Sequence, residues 1–267
     1  MPQTSHFPLQ EIVLAVRQSG FCFVASTAMK ARLQAQNLMA LSDWEAFAAS
    51  WNHMPLDQFM ADGGRYRRRR HAVFSAASES GAIMLEAHQP HYQSRDYNLL
   101  NGGIARQYAA IPANIVHGAT LQCILQFCRQ LFGEMMPQAA WHIECHQFRI
   151  EASHAEAGNP TPEGVHRDGV DFVLVLMVRR VNISSGTTTM HDLQQRKLDS
   201  FTLTEPLDCA IVNDRRCMHG VTAVEQINAT EPAYRDVLVV TFKNVKAPNK
   251  KIDKKTDRQI DPQQHGQ

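Results

Sequence analysis

The sequence predicts a mainly β protein with flanking helices, its strands forming a double-sheet jelly roll. Four segments after about residue 140 (WHIECHQFRI, DFVLVLMVRRVNI, FTLTEPLDCAIVN and DVLVVTFKNV) are rich in β-branched residues and bounded by turn formers. No helical pattern separates them, which argues for antiparallel pairing, and a jelly roll leaves few open edges. Ahead of these segments the apolar residues fall at helical spacing instead.

In chain order, LQEIVLAVRQSG places Leu9, Ile12, Val13 and Val16 on one helical face, and TAMKARLQAQNLMALSDWEAFAASWNHM continues the period. Residues up to about 60 are therefore expected to be packing helices. VHGATLQCILQFCRQLFGE aligns Leu121, Ile124, Leu125, Cys128 and Leu131 and is expected to end near Gly133. The jelly-roll core is expected to start at about residue 140. With no break in composition to mark a linker, residues 1–245 are expected to form one domain, and the polar, aromatic-free residues 246–267 a disordered tail.

Charge and composition exclude several classes of function. Lys plus Arg number 27 against 26 acidic residues, so no net field draws the chain to nucleic acid or an anionic membrane. The cysteines Cys22, Cys123, Cys128, Cys145, Cys209 and Cys217 form no CxxC pair and sit mostly in apolar stretches, as reduced thiols do in a cytoplasmic protein. No signal-peptide pattern opens the chain, and no apolar run reaches the ~18 residues of a membrane span. The expectation is a cytoplasmic protein with neither nucleic acid nor membrane as partner.

The chemistry-bearing stretch is GVHRDG, residues 164–169, directly before the most apolar strand. In extended chain His166 and Asp168 project to the same side, so both can reach one metal ion. His219, at the end of the strand-like LDCAIVNDRRCMHG, offers a third ligand. Two imidazoles and a carboxylate leave three positions open, as non-haem Fe(II) oxygenases require, whereas zinc more often closes a tetrahedron with Cys or a third His. His-Arg-Asp also opens the protein-kinase catalytic loop, but Val173 stands where that motif requires Asn. Arg235 begins the strand YRDVLVVTFK, where a guanidinium can grip a carboxylate bidentately.

Other candidates are less determined. Alternation in CHQFRI puts His146, Phe148 and Ile150 on one face and Gln147 and Arg149 on the other. If the second face points inward, Gln147 and Arg149 contact a co-substrate or a substrate carboxylate; if outward, they are surface residues. NLLNGGIARQY, with Asn98, Gly102, Gly103 and Arg106, forms either a loop over the pocket or a plain turn. In RYRRRR, Arg67 and Arg69 oppose Arg68 and Arg70, which leaves open a solvated face, a polyanion-binding face, or an inward arginine that meets an acidic core group or a substrate carboxylate.

Taken together, His166, Asp168, His219 and the trailing Arg235 resemble the Fe(II)/2-oxoglutarate-dependent dioxygenases. DGGRYRRRR, YNLLNGGIARQY, CHQFRI, VHRDGVD and YRDVLVVTF are similar, in order and character, to the bacterial free L-amino-acid hydroxylases of the L-isoleucine 4-hydroxylase type. The likeness runs from about Asp62 to about Phe242. It implies a double-stranded β-helix, the cupin-like form of jelly roll, with Fe(II) on His166, Asp168 and His219 and the distal carboxylate of 2-oxoglutarate on Arg235. It further implies that dioxygen and 2-oxoglutarate are consumed to hydroxylate an isoleucine-, leucine- or methionine-like free amino acid, with release of succinate and CO2. Two alternatives stay open. One is an oxygenase of the same kind acting on a protein or nucleic-acid side chain; the other is a non-catalytic jelly roll holding a small acidic ligand.

Overall fold

The computed structural model describes residues 8–78 and 82–245. The chain begins with α1 (Leu9–Ser19), β1 (Phe21–Val24), α2 (Ser26–Gln36), α3 (Trp44–Ala49) and a 3-10 turn (Ser50–His53). It continues through β2 (Arg67–Ala76), β3 (Ile83–Leu85), β4 (His91–Tyr92), β5 (Ala105–Arg106) and β6 (Ala109–Ala110) to α4 (Ala113–Val116) and α5 (Ala119–Met135). The rest is strand: β7 (Trp141–Ala152), β8 (Phe172–Val181), β9 (Ile183–Ser185), β10 (Thr188–His191) and β11 (Lys197–Phe201). The last are β12 (Cys209–Asn213), β13 (Met218–Val221), β14 (Val224–Gln226) and β15 (Ala233–Asn244).

The large sheet runs β1-β12-β8-β15-β7-β2-β3, with β6 beside β2. Its neighbours pair antiparallel except β2 with β6, and two smaller sheets, β11-β10-β13 and β14-β9, complete a jelly roll. Alternation divides the long strands. Trp141, Ile143 and Cys145 of β7, Ala72 and Phe74 of β2, and Leu238, Val240 and Phe242 of β15 join the core shared with the helices. Helix α5 packs Leu121, Ile124, Leu125, Phe127, Cys128, Leu131 and Phe132 against that face. Each such side chain stabilises the fold by roughly 1.5–3 kcal/mol. Phe132 stacks on Phe172 at 4.8 Å, and Trp141 and Phe242 close the same cluster edge-on. The other face of the large sheet looks across to the small sheets and encloses a cavity.

The sequence-based boundaries need two corrections. The core does not wait for residue 140, because β1 and β2 belong to the large sheet. The first is too short to carry a period, and the arginines of the second interrupt the apolar alternation that marks a strand. Helix α5 also continues two residues past Gly133 to Met135, since one glycine costs a helix only about 1 kcal/mol. The expected tail, 246–267, lies outside the described residues. All six cysteines are buried free thiols, and among the described residues no helix is long and apolar enough to cross a membrane.

Candidate active site

His166 and His219 are brought together by backbone pairing. Each donates its N–H to the other's carbonyl at 2.9 Å, an antiparallel bridge that sets both side chains on one side, with ring centroids 4.6 Å apart. Asp168 is positioned by Asp214, whose carboxylate accepts the backbone N–H groups of Asp168, Gly169 and Val170 at 2.9, 2.8 and 3.1 Å. The turn demands glycine at 169: its φ is +80°, and a Cβ there would meet the Tyr97 ring at 2.5 Å.

The donor atoms converge. His166 Nε2 lies 3.4 Å from Asp168 Oδ1, and His219 Nε2 lies 3.9 Å from Asp168 Oδ2. All three donors fall within 4.8 Å of one another. His166 Nδ1 lies 3.0 Å from the Gly164 carbonyl, which only accepts, so Nδ1 carries the proton that donates there and Nε2 faces its partners. Burial and the neighbouring His166 push His219 down to about 4. Burial also opposes charge on Asp168, but hydrogen bonding to His166 and the nearness of His219 hold its carboxyl well below the usual range. For His166 burial is outweighed by Asp168 and Glu163, which raise it to about 9. Two nitrogens and an anionic oxygen on one side of a shared point fit a divalent transition-metal ion with its remaining positions open.

These groups face a cavity of about 280 Å³, a small-molecule scale. Arg235 lies in its wall, 2% exposed, with Nε and Nη2 unpartnered and its pKa pushed down to about 10 by burial and nearby Arg180. A buried guanidinium left this way is costly unless an anion joins it. Arg67, Arg69 and Arg106 also line it, each with at least one unpartnered nitrogen. Arg67 is paired with Asp57 at 2.8 Å, and the Arg69 guanidinium sits over the rings of Tyr108 and Phe148, 4.1 and 4.5 Å from their centroids. Asn98 lines the cavity beside Arg106, so the NLLNGGIARQY loop does border the pocket, while Arg167 turns outward over Tyr97.

Gln147 and Arg149 do not reach this cavity, contrary to the cofactor-binding role considered for them. They share strand parity with Trp141, Ile143 and Cys145 and therefore face the helical side. Arg149 donates to both oxygens of Asp236 at 2.7 Å and to Asn52, and Gln147 donates to Ser50 Oγ at 2.8 Å. They tie β7 to β15 and to the 3-10 turn. The RYRRRR stretch divides as alternation requires: Arg67 and Arg69 point inward, while Arg68 bonds Glu151 and Arg70 bonds the carbonyls of Ser50 and His53.

A second polar group in the cavity wall escaped the sequence analysis. Glu144 stands among histidines: His91 Nδ1 is 2.6 Å from Oε2, His146 Nε2 is 3.2 Å from the same oxygen, and His142 Nε2 is 3.3 Å from Oε1. His71 Nε2 lies 3.8 Å from Oε2. Burial holds His91 down to about 4 and lowers His71 and His146 as well, so these rings are neutral near pH 7. Burial opposes the charge on Glu144, but its imidazole neighbours keep the carboxyl well below its ordinary range. The alternation of WHIECH, which sets His142, Glu144 and His146 on one face, was the available signal. Asp214 gave none, because its role depends on a turn folded over it.

Comparison with known proteins finds both a family and relatives. A model of the 2OG-Fe dioxygenase family matches residues 48–241. The chain is 25% identical over 205 residues to a 3(1)-hydroxy-L-isoleucine 4-dioxygenase of Pantoea ananatis (strain AJ13355), covering 76% of this chain and 81% of that protein. It is 26% identical over 183 residues to an L-isoleucine-4-hydroxylase of Bacillus thuringiensis, covering 67% and 75%. Among solved structures, a bsmA homolog from Methylobium petroleophilum PM1 superposes with a TM-score of 0.80 at 30% identity, over 90% of this chain and 94% of that one.

Proposed function

This chain belongs to the 2OG-Fe dioxygenase family, and from that premise we propose that it hydroxylates a free aliphatic L-amino acid of the isoleucine, leucine or methionine kind. The observation that carries the reading is the group of buried His166 and His219 with half-buried Asp168, opening onto the cavity that holds the unpaired Arg235. His166, Asp168 and His219 would hold Fe(II), and Arg235 would hold the distal carboxylate of 2-oxoglutarate. With dioxygen these groups would supply the oxidising power to hydroxylate a C–H bond, 2-oxoglutarate being converted to succinate and CO2.

The protein's own part is placement. Gly164 fixes the tautomer of His166, and Asp214 fixes the turn that aims Asp168. A free amino acid brings a second carboxylate into the cavity, for which Arg67, Arg69 and Arg106 offer unpartnered donors. Phe148, Val175, Val237 and Val239 supply an apolar wall for an aliphatic side chain. One methylene more or less is worth only ~1–3 kcal/mol against such a wall, so several aliphatic amino acids are accepted. The arrangement of Arg67 to Arg70, two turned inward and two bonded to the chain itself, speaks against a nucleic-acid docking face. The six buried free thiols support a cytoplasmic setting.

The test incubates the metal-free protein with Fe(II), ascorbate, 2-oxoglutarate and a panel of free L-amino acids. Amino-acid-dependent succinate and a product heavier by one oxygen are the expected result; no turnover with any free amino acid overturns the proposal.

A further inference from the structure

The histidines around Glu144 do more than neutralise a buried carboxylate. His91, His142 and His146 each lie within hydrogen-bond reach of a Glu144 oxygen and are accounted for as donors to it. His71 is not. Its side chain is fully buried, and among the described residues neither Nδ1 nor Nε2 has a hydrogen-bond partner. A buried imidazole with both nitrogens unpaired is costly, and its Nε2 is directed at the Glu144 oxygen that His91 also approaches. The register puts it there: His71 of β2 is the cross-strand partner of His146 of β7, Glu144 lies two residues earlier on the same face, and β4 carries His91 across the top. Donor atoms of His71, His91, Glu144 and His146 all fall within 4.8 Å of one another.

The tautomers separate ligands from supports. Arg69 Nη2 lies 3.1 Å from His146 Nδ1, and since a guanidinium only donates, that nitrogen accepts. The proton of neutral His146 therefore sits on Nε2 and is donated to Glu144 Oε2, which makes His146 an orienting donor. No guanidinium fixes the tautomer of His71 or His91, and their rings stand at 67° with centroids 5.8 Å apart, so an ion beside Glu144 that takes the place of the His91 Nδ1 proton would meet a nitrogen of each ring.

We propose that His71, His91 and Glu144 form a second divalent-metal site in the cavity wall, separate from the His166–Asp168–His219 group and suited to a zinc-type cation. Two imidazole nitrogens and one carboxylate oxygen, the same donor set as in the first group, take divalent transition-metal ions, zinc among them, and are a poor cage for calcium or magnesium, which take oxygen ligands. His146 supplies the outer hydrogen bond that orients the carboxylate. The ammonium of a substrate is the weaker occupant, because Glu144 Oε2 already has two imidazole nitrogens within 3.2 Å.

The test counts zinc on the full chain after chelation, using His166→Ala/His219→Ala to remove the first group. Wild type is expected to take two equivalents of Zn2+ in a calorimetric titration and the double variant one. Adding His91→Ala or Glu144→Gln to the double variant is expected to weaken the remaining binding at least ~100-fold, beyond the range of losing an outer-shell partner. His91 lies on a two-residue strand, so that variant reads the site even if His71→Ala fails to fold. Zinc-dependent thermal stabilisation of the double variant, lost on adding His91→Ala, is the second expected readout. A double variant that takes no zinc, or one whose binding is unmoved by His91→Ala and Glu144→Gln, overturns the proposal.

Discussion

The two histidine–carboxylate groups of the cavity are held by different means. His166, Asp168 and His219 stand on a loop and a short strand, joined by one reciprocal backbone bridge and a turn gathered around Asp214. The group around Glu144 stands mainly on two long central strands whose register extends over ten residue pairs. A bridge and a turn can adjust when an ion and its co-substrate arrive, whereas a sheet interior holds its side chains in one place. The first arrangement suits chemistry that changes its ligands during turnover; the second suits a fixed wall.

Four changes test this contrast, in falling order of effect. His166→Ala, Asp168→Ala or His219→Ala should abolish succinate formation, a loss well beyond the ~10–100-fold cost of an outer-shell partner, and iron content after dialysis should fall with it. Activity surviving any of the three would sink the loop group as the iron site. Arg149→Met should cost about 3–5 kcal/mol of stability by leaving Asp236 buried and unpaired, seen in chemical denaturation, with the KM for 2-oxoglutarate unchanged. A raised KM would return Arg149 to the cofactor. Arg235→Met should weaken 2-oxoglutarate use by about 2–5 kcal/mol, the range for truncating one partner of a buried charge pair, with the thermal midpoint held or raised because an unpaired buried charge is removed. Asp214→Asn should loosen the Asp168 turn and cost ~10–100-fold in iron affinity, while zinc binding at the Glu144 group stays as in wild type. Equal loss at both groups would show that they are not held independently.

Much of the His166–Asp168–His219 group was legible because its signal is local. His166 and Asp168 are two residues apart, and His219 and Arg235 each border an apolar strand, so order and spacing stand in for geometry. The Glu144 group had only part of such a signal, the alternation of His142, Glu144 and His146, since His71 and His91 come from other strands and β4 lies in a different sheet from β2 and β7. Gln147 and Arg149 show the limit from the other side. Alternation correctly separated them from His146 and Phe148, yet could not say which set faced the cavity, because period two has no sign until a neighbour covers one face.

Composition and periodicity by themselves determined the β-rich core, the α1 and α5 helices, the opposed faces of Arg67/Arg69 and Arg68/Arg70, and the order of His166, Asp168, His219 and Arg235 along the chain. These are properties of one segment at a time, set by side-chain shape and backbone period. Tertiary structure decided that β1 and β2 join the large sheet, that Arg149 pairs with Asp236, that Asp214 folds the ligand turn, and that His71 lies unpartnered beside Glu144. Each of these depends on contacts between residues distant in sequence, and such contacts exist only once strand register and helix packing have chosen which faces meet.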